Sequence, residues 1–146
     1  MAIREIIQGP DDRLLQPSAP VGELTADVRR VIDDLIDTRY LGRGAALAAV
    51  QIGEHIRVVV TDPKLFYGFK GMINPEIINR GKQIVEALEG CMSIRHGRLR
   101  FKVKRNQVVT IKFRGLDGGE HTIVAKGMPA RLAQHEIDHL DGKLIA

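Results

Sequence analysis

The run His135-Glu136-Ile137-Asp138-His139 constrains this chain more than any other stretch, because two histidines four residues apart reach one ligand only if the segment is helical. At 3.6 residues per turn, positions i and i+4 stack on a single helix face. Glu136 falls about 80° around the helix from their mean direction, close enough to take a proton from a metal-bound water without being a ligand itself. The H-E-x-x-H pattern therefore predicts a hydrolytic metal site on a helix opened by Pro129. The competing reading is a structural helix with two satisfied core histidines and a salt-bridging glutamate, and a third ligand is what separates the two.

Cys91 is the candidate for that third ligand. It is the single cysteine of 146 residues, so an intrachain disulfide is excluded, and packing, reactivity or ligation remains. It follows the β-rich run Gln83 to Leu88, and Gly90 directly before it permits close backbone approach. Cys91, His135 and His139 would leave a tetrahedral ion with one open position, the arrangement of a catalytic site. An inert core thiol is the bland alternative.

The rest of the chain reads as α+β: a single domain over residues 1–146, with antiparallel or mixed β-sheets packed around a central metal-binding helix. Val28, Val31, Ile32, Leu35 and Ile36 recur at helical spacing in Thr25 to Tyr40, which closes near Gly42. Strands are expected at Ile56 to Thr61, Gly71 to Asn79, Gln83 to Leu88, Leu99 to Lys104, Val108 to Arg114 and Glu120 to Ala125. Leu116-Asp117-Gly118-Gly119 has hairpin-turn chemistry. With 44% apolar residues the chain can bury a core of its own. No apolar run approaches the ~18 residues of a membrane span, and Met1 to Gln8 lacks a signal-peptide pattern, so a cytoplasmic, membrane-free protein is expected.

The formal charge is +4. Lys102, Lys104, Arg105, Lys112 and Arg114 alternate with apolar residues, and one basic sheet face is expected from them. A solvated surface is the favoured account of it, over weak contact with RNA. Aromatic residues are too scarce for a base-stacking platform, and no DNA partner is indicated.

Three blocks in order, Gly44-Ala45-Ala46-Leu47-Ala48-Ala49-Val50-Gln51, Glu89-Gly90-Cys91-Met92-Ser93 and His135-Glu136-Ile137-Asp138-His139-Leu140, resemble the peptide deformylases. The opening Ala2 to Ile6 and Asp12 to Leu15 are similar too, so the resemblance covers nearly the whole chain. Four features depart from the family pattern: Ala46 in place of a second glycine, Val50 and Arg95 in place of prolines, and an end at Asp141 to Ala146, just past the metal helix, where many relatives continue. The chain thus reads as a short form.

The resemblance implies removal of the formyl group from the formylmethionine of nascent polypeptides, with Glu136 as base and then acid. It implies Gln51 and the Met92 backbone N–H as oxyanion donors, and physically a neutral amide can donate there without repelling the cation. A polar residue at a strand start is the plain alternative for Gln51. Substrate backbone is expected along Gly44, Ala45 and Ala46 as an added strand, beside Glu89 and Gly90. The implied methionine pocket would have Met128, Arg131 and Leu132 in its helix wall, with Ala133, Ile137 and Leu140 on the opposite, core-facing side. Arg131 is expected at the pocket edge with its head in solvent.

By family offset, Arg98 and Arg105 are candidates for a substrate carbonyl and for support of the metal ligands. Asp138 would orient a ligand or pair with an arginine. One divalent ion per chain is implied, ferrous iron as the physiological one, with zinc or nickel able to substitute; a thiolate with two imidazoles suits iron and zinc alike. Formylated nascent peptides, weak attraction to ribosomal RNA and a monomeric state complete the expectation. A related metallohydrolase with another substrate, suggested by Ala46 and Arg131, stays open. So does a non-catalytic metal-binding module, although a structural ion would need neither Glu136 nor Gln51.

Overall fold

The structure is a computed structural model, and it describes residues 2–145. Its elements follow the chain as α1 (Ala26–Gly42), β1 (Ala46–Ala48), β2 (Val58–Thr61), β3 (Gly71–Arg80), β4 (Ile84–Gly90), β5 (Arg100–Asn106), β6 (Val108–Arg114), β7 (Glu120–Lys126) and α2 (Met128–Leu140). Five strands form one sheet in the order β1-β2-β3-β6-β7, and β4 and β5 form a separate two-stranded ribbon. All these pairings are antiparallel. A parallel bridge joins Ala19 to Ile56.

The sheet separates the two helices, and the alternation of side chains along the strands decides what each helix covers. Leu47, Val58, Val60 and Ile73 meet Val31, Ile32 and Leu35 of α1. Ala46, Ala48, Val59 and Met72 turn the other way, toward Ala130, Leu132, Ala133 and Leu140 of α2. Strand β2, Val58-Val59-Val60-Thr61, is therefore buried on both faces, which is why it reads as an unbroken apolar run. Thr25 caps α1 by accepting a hydrogen bond from Val28 N–H at 3.2 Å. Gly127 precedes α2 with φ 68°, and Pro129 lies in its first turn.

The helix and strand expectations hold to within about two residues at most ends. Strand β1 was not foreseen, because three residues are too few to show a period. Gln51 does not begin a strand; it lies in a 3-10 turn over Ala49–Ile52. The expected single basic face does not form. Lys102 and Lys104 lie on the two-stranded ribbon, whereas Lys112 and Arg114 belong to the main sheet. Arg105 is buried against carboxylates, and Arg114 donates to the carbonyls of Val21 and Gly22. No helix among the described residues is long and apolar enough to cross a membrane.

Candidate metal centre

Helix α2 supplies two of the three donor atoms. Its apolar face, with Ala133, Ile137 and Leu140 all buried, docks into the core and fixes its rotation. His135 and His139, one turn apart, are buried with their Nε2 atoms 3.2 Å apart. Cys91 arrives from the other direction, immediately beyond the end of β4, and places Sγ 3.2 Å from His139 Nε2. The three donor atoms all lie within 4.8 Å of one another.

These separations suit an ion. Bonds of about 2.0–2.1 Å to nitrogen and 2.3 Å to sulfur in a tetrahedron put neighbouring donors ~3.3–3.6 Å apart. Among the described residues no fourth acidic, histidine or cysteine donor joins the group. Glu136 stands next to it, with Oε2 3.9 Å from His135 Nε2. Its other oxygen is buried without a hydrogen-bond partner among the described residues, as is Nδ1 of His139. A buried acceptor left bare costs about 1–3 kcal/mol, so its retention beside three metal-type donors points to a bound group that it serves.

Electrostatics tell the same story. Burial works against charge on His135, but the Cys91 thiol and the Glu89 carboxylate outweigh it and raise the ring to about 10. Burial, together with the charges of His135 and Arg105, lowers His139 to about 3. Burial lifts the Glu136 carboxyl to about 6.

Glu89 holds His135 in place. Its Oε1 accepts from His135 Nδ1 at 2.9 Å and from Arg105 Nη2 at 3.0 Å, while Oε2 accepts from Arg105 Nε at 3.1 Å and Arg131 Nη1 at 2.5 Å. Burial alone would raise this carboxyl, yet His135 and the two guanidinium groups keep it at about 2. With Nδ1 directed at Glu89, Nε2 of His135 is the ring atom that would hold a bound ion, a common support for metal-bound histidine. Arg105 also donates to Asp138 at 2.5 Å, so Asp138 pairs with an arginine and not with a ligand ring.

Gln51 is almost fully buried, and its amide is fixed at both ends. Oε1 accepts from Ala48 N–H at 2.9 Å, and Nε2 donates to Ser93 Oγ at 3.0 Å with Cys91 Sγ 3.9 Å away. The amide is thereby oriented toward the donor cluster. Ser93, its partner, had no role in the sequence reading beyond its place in the second block.

A cleft opens onto this group between three walls. Gly44, Ala45 and Ala46 form one, with β1 at the free edge of the main sheet. Glu89, Gly90 and Met92 form the second, and Met128, Arg131, Leu132 and Glu136 the third. A Cβ at Gly44 would overlap the Met92 sulfur, so any larger residue there would require the Met92 side chain to move.

Two expected positions are corrected. Arg98 lies outside the cleft, in a surface depression with Gln8, Arg95 and Leu99; Arg100, paired in register with Gly90, lines the cleft instead. The cause is a tight turn in which Arg95, His96 and Gly97 have φ of 45°, 54° and 81°. Proline, fixed near −65°, could not occupy position 95 in this turn. Arg100 could have been found only by knowing the ribbon's register. The second correction concerns Arg131, whose head is not in solvent: it donates to Glu89 and to the carbonyls of Val103 (3.0 Å) and Val85 (2.6 Å).

One thiol and two imidazoles beside a carboxylate with a bare oxygen make a donor set of the catalytic metallohydrolase type. The polypeptide deformylase family model matches residues 3–146, and the chain belongs to that family. It is 40% identical to peptide deformylase 1 of Rickettsia conorii over 154 aligned residues, covering 99% of this chain and 86% of the relative. It is 39% identical to a peptide deformylase of Rhodopseudomonas palustris, with 99% and 84% covered. Among solved structures, the peptide deformylase of Ehrlichia chaffeensis in complex with actinonin superposes with a TM-score of 0.89 at 33% identity, covering 99% of this chain and 87% of that one. The Legionella pneumophila peptide deformylase gives 0.88 at 37% identity, with 98% and 83% covered.

Proposed function

We propose that residues 1–146 act as one catalytic domain, a metal-dependent peptide deformylase that hydrolyses the formamide of amino-terminal formylmethionine on nascent polypeptides. The observation that carries this reading is the convergence of Cys91, His135 and His139 within 4.8 Å, in a chain whose relatives share the activity's name. Cys91, His135 and His139 would hold one divalent ion, which when bound supplies Lewis acidity and lowers the pKa of water.

The chain's own groups do the remainder. A formamide is hydrolysed when water adds to its carbon, charge collects on its oxygen and the C–N bond breaks to give formate and a free amine. Glu136, buried in the cleft wall, takes the proton of the attacking water and returns it to the departing amine. Gln51 Nε2 and the Met92 backbone N–H donate to the oxyanion, each worth about 3–4 kcal/mol in the transition state. The free edge at Gly44 to Ala46 receives the peptide backbone as an added strand. Met128 and Leu132 supply apolar contact for the substrate side chain, with Glu89, Gly90 and Arg131 lining the same cleft.

Ferrous iron is the proposed resident ion, and zinc or nickel would fit the same donors. Because the proposed substrate is made on the ribosome, a cytoplasmic location belongs to the same proposal, as does a monomeric state. The exposed Arg100, Lys102 and Lys104 on the ribbon beside the cleft would add weak attraction to ribosomal RNA. The test is formate release from a formyl-Met peptide after anaerobic loading with ferrous iron. Turnover supports the reading, and its absence from protein shown to hold iron contradicts it.

A further inference from the structure

Each half of the donor set rides on a different body. His135 and His139 belong to α2, anchored in the core, but Cys91 follows a ribbon of only two strands. A two-stranded ribbon is marginal by itself in water and takes its position from whatever it packs on. Arg105 lies on β5 and bonds Glu89 on β4, so it ties strand to strand before it reaches Asp138. Gln134 of α2 grips the N–H and carbonyl of Asn106, opposite Ile84 at the end of the ribbon farthest from Cys91.

Arg131 differs from both. From α2 it bonds the carbonyl of Val85 on β4, the carbonyl of Val103 on β5 and the carboxylate of Glu89, two residues before Cys91. Its side chain is only 13% exposed. A planar guanidinium has five N–H groups in a fixed fork, so meeting three acceptors on two strands fixes both distance and tilt. Lysine or an apolar residue could not do this.

We propose that Arg131 is a positioning residue for the metal centre, a cross-brace from α2 to both strands of the ribbon that sets the distance between the Cys91 thiol and the two imidazoles. This rests on the metal-site reading above. Its mechanical sense is that ligand distances are tolerated only within about 0.2 Å, whereas an unbraced ribbon can shift on the helix by more.

The test uses cobalt(II) as probe in the full chain, comparing wild type, R131L and R131K. Wild type should show a thiolate-to-cobalt charge-transfer band and slow release of cobalt to a chelator. R131L should release it about 10–100-fold faster, the usual cost of losing a group that orients a ligand, with a weakened or shifted band. R131K should lie between them, which also decides the matter if R131L does not fold. A melting temperature that falls while band and release rate stay at wild-type values, in whichever variants fold, would overturn the proposal. If wild type itself gives no thiolate band, the metal-site reading fails first and this inference with it; a wild-type band retained by both variants removes the brace alone.

Discussion

The main sheet and the β4–β5 ribbon are built from the same antiparallel geometry, yet they are held by different forces. The sheet lies between two helices and is packed with Leu35, Leu47, Val58, Val59 and Ile73, each fully buried. Burying such a side chain contributes about 1.5–3 kcal/mol, and the contacts are nondirectional. The ribbon's outer face stays in water, with Ile84 and Leu88 exposed. It is fastened to α2 through Glu89, Arg105, Arg131, Asp138 and the Gln134–Asn106 pair. Apolar packing makes the body robust, while hydrogen bonds of fixed direction set the position of Cys91. The molecule uses the specific interaction where a donor atom must be placed.

The largest separation of the two regions should come from their interiors. Leu35→Ala, in α1, should cost about 2–5 kcal/mol in denaturant unfolding, while the folded fraction keeps its affinity for a divalent ion. A loss of ion affinity in that variant would break the distinction. Glu89→Ala should do the reverse in kind: it leaves two buried guanidinium groups and the His135 N–H without their shared acceptor. Metal affinity should fall about 10–100-fold, read by chelator competition, and amide exchange should rise in β4 and β5 before the main sheet.

Chemistry should separate from both. Glu136→Ala should retain the ion and lose turnover by about 10²–10⁴-fold; loss of the ion would make Glu136 a structural partner. Gln51→Ala should lower kcat by on the order of 10²-fold with metal retained, and an unchanged kcat would remove Gln51 from the oxyanion site.

The smallest effect concerns a polar clasp outside the cleft lining. Burial alone would raise the Asp34 carboxyl, but hydrogen bonds from Ala2 N–H and Arg4 outweigh it and hold it below the ordinary carboxylate value. A carboxyl depressed in the folded state stabilises the protein above its unfolded pKa. That contribution is lost as pH falls through the lower, folded value. Asp34→Asn should therefore flatten the stability profile below about pH 4 relative to wild type, and parallel profiles would exclude the clasp as a contributor.

Among the described residues, both α-helices and six of the seven strands were legible because their periods extend over four or more residues. Three-residue β1 was not. The histidine pair was legible because helical spacing is local: four residues bring His135 and His139 together whatever the rest of the chain does. Cys91 stood out as a lone thiol, and its family block suggested the role that the structure's geometry now supports. What could not be read was the crossing of the ribbon over α2. Arg131 looked like a solvent-headed residue at a pocket edge because nothing in its neighbourhood names Val85, Glu89 or Val103 as acceptors. Arg98 was misplaced for a related reason, since three successive left-handed residues turn the chain between Cys91 and β5. Both errors lie in the polar, direction-dependent part of the molecule, where a small change of backbone path selects different partners.

X-ray absorption of the anaerobically iron-loaded protein tests the central claim most directly, since it counts the donors around the ion. One sulfur and two imidazole nitrogens in the first shell, with the sulfur lost in Cys91→Ala, is the predicted result. A shell of nitrogen and oxygen alone in wild type would contradict the convergence of Cys91 with His135 and His139 on one ion.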